Sequence, residues 1–302
     1  MYYTIVCSSL SVDIEKELLT LINHSVVTHF SFSELWGPVV FFITLLLSVV
    51  YLLLVEPLRH RFYQSEPVST GQKILFIAGL FTFYIAVGSP INSFSHHVLF
   101  SAHMLKQALL YFIMPLFIYL GTPAWLIRPI LKTKFAMKFL PIFNQPILAM
   151  FLFNSALSLY HFPVVFNKLM EIPFAGSIYH ILLIFASLQM WWPLICPVPE
   201  LDKLSNVKKL GYIAANAILL YPACVAIIFA GNILYDPYVN APQLLPFLGS
   251  IDDQQLGGII MKMTQEAAFV VTLAIISARW YRKEKHDDPI EVYEVKIDSS
   301  KT

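Results

Sequence analysis

Six residues able to donate or accept protons, or to bind metals, crowd the stretch SHHVLFSAHMLKQALLY at 95–111: His96, His97, His103, Met104, Lys106 and Gln107. His161 and His180 stand in two later apolar stretches, and DDQQLGGIIMKMTQE carries Asp253, Gln254, Lys262 and Glu266. Imidazole and thioether together suit copper better than magnesium or calcium, which prefer oxygen ligands; zinc or iron would also accept histidine. Two histidines on facing helices can also ligate haem iron. In such a site Gln107, Asp253 or Glu266 would fix the imidazole tautomers by hydrogen bonding.

Ordinary roles compete with these. His96 and His97 fall at the water boundary, where amphipathic side chains are common without any ligand. Met104, Met114, Met261 and Met263 read first as gap-fillers. Lys262 and Glu266, four residues apart on a helix, make a structural ion pair. Cys224 reads as a small buried apolar residue. His103, His161 and His180 resist this treatment, because ionisable groups inside a bilayer are costly and tend to line a site.

These residues need helices to hold them. The chain is 57% hydrophobic and only 13% charged, against about 25% charge in soluble domains, and its mean hydropathy is +0.67. The expected fold is therefore all-α, a polytopic membrane protein that contacts lipid directly. A net charge of +1 points to no nucleic-acid partner. Cys7, Cys196 and Cys224 are too scattered for a disulfide framework. The first 30 residues lack the pattern of a cleaved signal peptide.

A helix needs about 20 apolar residues to cross a bilayer. Seven stretches approach that length, near 38–55, 73–89, 98–120, 145–161, 174–192, 211–231 and 257–279, several ending at Pro or Gly. The expected division is an extracytoplasmic segment at 1–37, a membrane domain at 38–279 and a cytoplasmic tail at 280–302. No internal repeat supports an inverted-repeat transporter.

Charge sets the orientation. Of the 20 Lys and Arg, sixteen fall in the loops after the first, third and fifth stretches and in the tail, while Lys16 and Lys168 lie on the other side. Cytoplasmic loops hold the excess of Lys and Arg, so the N-terminus is expected outside and the C-terminus inside. At 1.5 Å per residue, His103 and His180 then lie roughly 8 and 9 Å from the outer ends of their helices. His161 falls at an outer end, and Lys262 and Glu266 lie roughly 8 and 14 Å into the last stretch. All share the outer half of the membrane. His96, Phe100, His103, Gln107 and Met114 follow helical steps along one stripe.

SAHMLKQALLYFIMPLFIYLGTP resembles the signature span of the CtaG family, seven-span assembly factors of bacterial caa-type cytochrome c oxidase. LYHFPVVF, MWWPLICPVPE and DDQQLGGIIMKMTQE resemble its later motifs in the same order, so the resemblance runs over about 35–282. It implies a multi-pass protein of the bacterial plasma membrane that assists copper delivery to the oxygen-reducing centre of subunit I. The implied partners are subunit I and a copper donor protein. The motif positions are His103 and Met104, Tyr160 and His161, His180, and Asp253 with Gln254 and Gly257. Some family members carry a second His where this chain has Gln107, so a site here would have to recruit His161 or His180. The resulting expectation is copper held by His103, His161 and His180, with Met104 as a soft auxiliary ligand.

Other classes fit less well. A copper transporter or channel would continue its polar residues through the cytoplasmic half, where the third and fifth stretches are almost wholly apolar. A retinal protein would need an acid on the third stretch, which has none. A metal-free scaffold for subunit I fits the apolar faces equally well. No nucleophile with an adjacent base and no phosphate loop are present, so no enzyme activity is expected.

Overall fold

In the computed structural model, residues 31–287 are described except 97, 173, 243 and 246. Among them the regular structure is entirely helical. The chain enters at α1 (Phe32–Trp36), opened by a capping box in which Ser31 and Glu34 satisfy each other's backbone amides. Gly37, at φ +36°, turns directly into α2 (Pro38–Val55). Val39, Phe42, Leu46 and many other apolar side chains of α2 are exposed, as a lipid-facing helix requires.

Next come α3 (Thr70–Gly88), the short α4 (Pro90–Phe94) and α5 (Phe100–Gly121), the most enclosed of the long helices. Helix α5 lies against α3 and the last helix. At its far end Gly121 touches α3 so closely that a Cβ there would stand 2.3 Å from the Phe76 amide nitrogen. Residues 109–113 of α5 widen into a π-turn just before Pro115. Proline has no N–H to offer the carbonyl four residues back and its ring crowds that oxygen. The oxygen belongs to Tyr111, and it accepts instead from Ser187 Oγ at 2.5 Å and Trp191 Nε1 at 2.9 Å.

Helices α6 (Ala124–Leu131), α7 (Lys134–Phe143) and α8 (Pro146–Tyr160) follow, then α9 (Pro163–Glu171) and α10 (Ala175–Trp191). Arg128 of α6 forms an ion pair with Glu200 beyond α10, and that hydrogen bond holds the Glu200 carboxyl below its ordinary range. The bundle ends with α11 (Asn206–Ile228) and the long α12 (Ser250–Asp287). Asn154 of α8 donates to Asn216 of α11 at 2.7 Å, and Gln265 of α12 donates to the Asn216 carbonyl at 3.3 Å. Polar bonds of this kind join helices where lipid offers no hydrophobic drive.

Among the described residues, five helices are long and apolar enough to cross a membrane: those over Phe32–Val55, Thr70–Gly88, Phe100–Gly121, Asn206–Ile228 and Ser250–Lys285. A sixth crossing requires α7 and α8 to count as one span, and they are bent by 80° at Asn144 and Gln145. The expected stretches at 145–161 and 174–192 do form helices, but α8 has 15 residues and α10 has 17. By length and composition the described helices thus support five crossings, or six with the bent pair, rather than the full expected seven. The reason is local: Pro146 opens α8, and it ends before Pro163. The last helix departs the other way, running through the basic residues to Asp287, so the expected tail boundary at 280 falls inside a continuous helix.

Candidate functional site

The site is built on α5. The helix begins at Phe100, where Leu99 is extended and caps nothing with its side chain. Asp253 of α12 takes over, its carboxylate accepting from the amides of Phe100 at 2.6 Å and Ser101 at 3.3 Å. A carboxylate at a helix N-terminus satisfies orphan donors and complements the dipole. Asp253 therefore sets where α5 starts, three residues before His103, and does not orient a histidine as expected from sequence. His96 falls in the turn ahead of α5, off the expected stripe, and His97 lies outside the described residues.

His103 is 2% exposed. Its Nε2 accepts from Gln107 Nε2 at 2.9 Å, one turn along the same helix. The Tyr160 hydroxyl of α8 lies 3.3 Å from that nitrogen and 3.2 Å from Nε2 of His180 on α10. Beyond it, His180 Nδ1 meets the Tyr111 hydroxyl of α5 at 2.6 Å. With Gln107 donating, one self-consistent proton order has Tyr111 donating to His180 Nδ1, His180 Nε2 donating to Tyr160, and the Tyr160 hydroxyl sharing the single Nε2 lone pair of His103 with Gln107. Five side chains from three helices thus form one hydrogen-bonded row. The two imidazole centres are 5.9 Å apart.

His161 follows a different rule. Its Nδ1 bonds the Leu157 carbonyl at 2.8 Å, so Nδ1 carries the proton and Nε2 holds a lone pair. That Nε2 is buried with no hydrogen-bond partner. His161 lies beside the Tyr160 ring, with ring centres 5.2 Å apart, and among the described residues it makes no hydrogen bond to His103 or His180. Among the described residues, no group of three or more His, Cys, Asp or Glu side chains is placed to hold a metal ion. His103 and His180 are brought together; His161 is held aside by its own helix end.

Met104 is fully buried and faces α12. A Cβ on Gly257 would stand 2.9 Å from Met104 Cγ and 2.7 Å from Phe100 Cδ1. The remaining candidates are joints between elements. Gln254 accepts from the Leu234 amide at 2.7 Å and donates to the Asn232 carbonyl at 3.2 Å. Lys262 pairs with Glu266, donates to the Ala217 carbonyl at 3.0 Å and to Gln265 at 3.2 Å, and so ties α12 to α11.

Tyr111 was not among the residues singled out from sequence, although it continues the four-residue step His103–Gln107–Tyr111. Tyr160 was noted only as a motif position. A tyrosine in an apolar helix has a hydroxyl that must find a partner, and that was the available signal.

For fit to copper, the nitrogen donors are His103 and His180, which would have to release the hydrogen bonds they make and, for His180, the Nε2 proton, together with the orphaned Nε2 of His161. This is a low-coordinate arrangement of nitrogen donors, compatible with copper and unlike the oxygen cages of magnesium or calcium.

No curated protein and no solved structure matches the chain significantly. The family described as cytochrome c oxidase caa3 assembly factor (Caa3_CtaG) matches residues 49–283, most of the chain, in accord with the motifs read from sequence. This multi-helix membrane protein belongs to the CtaG family of caa3 cytochrome c oxidase assembly factors.

Proposed function

We propose that the protein assists oxidase assembly in the bacterial plasma membrane by holding copper transiently and passing it toward the oxygen-reducing centre of subunit I. The observation that carries this reading is the meeting of His103 and His180, from two different helices, at the Tyr160 hydroxyl. Copper is the cargo here. A carrier must release what it holds, and two imidazoles with one oxygen nearby bind less tightly than a closed four-ligand site. The lone pair on His161 Nε2 offers a second stopping point. A copper donor protein would load the site, and Met104, packed on Gly257, would have to turn to add its sulfur.

Purified protein loaded with copper(I) tests this. Metal content should fall by at least about tenfold in a H103A/H180A variant that still folds, in line with loss of principal ligands. Unchanged stoichiometry would sink the reading. A second reading, a metal-free scaffold for subunit I, is favoured by the lack of any three-donor group among the described residues. Excess copper separates the two in cells lacking the protein: it restores oxidase activity if copper supply is the role, and leaves the defect in place if the role is a scaffold.

A further inference from the structure

A cavity of about 510 Å³ opens between α3, α5, α9 and α10. Its polar lining residues include Lys106, Asn92, His96 and His180, and its apolar ones Val87, Leu110 and Ile184. Lys106 is only 7% exposed. It donates to Asn92 Oδ1 at 2.7 Å, and among the described residues no carboxylate lies within ion-pair distance of it, in contrast to Lys262, which has Glu266. With one neutral acceptor among the described residues for its three donors, this buried amine is under-satisfied. Phe174 and Ile181 at the rim are exposed on the lipid-facing surface.

We propose that this cavity binds an anionic phospholipid, its phosphate against Lys106 and an acyl chain along Val87, Leu110 and Ile184. Charge selects the head: a phosphate diester supplies the acceptors that Lys106 lacks, while the cationic end of a zwitterionic lipid would be repelled by it. The apolar lining and the exposed Phe174 and Ile181 beside it select a lipid over a soluble anion. The same charge makes the cavity a poor entrance for copper, although His180 lines it. The inference stands apart from copper binding, since it rests on the amine and the cavity.

Native mass spectrometry of the full chain, titrated with phosphatidylglycerol or phosphatidylcholine of identical acyl chains, tests it. Wild type should prefer phosphatidylglycerol by about fivefold, the size of one lysine–headgroup attraction. K106R should keep the preference, K106Q should lose it, and I184W should lower occupancy by both lipids. Equal retention of the two lipids by wild type, or an undiminished preference in K106Q, would overturn the proposal. Competition by glycerol phosphate at the same concentration as the lipid would overturn it in favour of a soluble-anion site. Should K106Q fail to fold, the wild-type ratio together with I184W decides.

Discussion

Tyr160 has one proton and two imidazole neighbours, so it can donate to only one of them and must accept from the other. It therefore couples the tautomer of His180 to that of His103, whose Nε2 Gln107 already keeps as an acceptor. A Y160F variant removes the link without removing either ring. Its expected cost is about 1 kcal/mol, typical of an interhelical hydrogen bond in a membrane, read as a lower midpoint in a denaturant titration. The imidazole nitrogen resonances of both histidines should shift together; a shift confined to one would mean that the row is not continuous. Gln107 holds the same His103 ring from one turn along α5 through a single hydrogen bond.

At the scale of elements, the site depends on where α5 begins and where it loosens. Its start is set from another helix, by Asp253 on α12. D253A should destabilise the fold by about 1–2 kcal/mol, the cost of a lost N-cap, with D253N retaining part of the interaction. Unfolding of the three proteins in detergent measures this, and equal stability would show that the carboxylate is dispensable as a cap. The π-turn before Pro115 aims the Tyr111 carbonyl at α10, where Ser187 and Trp191 take it up. That joint fastens α5 to α10, the helix that carries His180.

For the whole molecule, the lipid-facing apolar surface of α2 and the enclosed α5 define an outside and a core. The asymmetry of basic residues predicts which end faces the cytoplasm. A fluorescent protein fused to the C-terminus should therefore fluoresce, and a periplasm-dependent phosphatase at the same position should be inactive. The opposite pair of results would invert the orientation and put the His103 end of the bundle on the cytoplasmic side. The short α8 and α10 bear on this, because a bent α7–α8 pair counts as one crossing or none.

The helical class, the membrane habitat and the family were legible in the chain itself, because apolar run length and motif order are one-dimensional properties. So was the choice of His103 and His180 as candidates, since a bilayer penalises ionisable groups wherever they sit. The joint between Lys262 and Glu266 was readable too, from a helical spacing of four. Which histidines meet was not legible. Similar depth along three helices leaves their rotation and spacing open, and these were decided by packing: Gly257 against Phe100 and Met104, and the Tyr111 carbonyl, freed by Pro115, against Ser187 and Trp191. The same packing turned Asp253 from an expected partner of histidine into the cap of α5, and left Lys106 of the opening stretch facing a cavity. Sequence spacing determines what a helix presents along its length; only the contacts between helices determine which of those groups share a site.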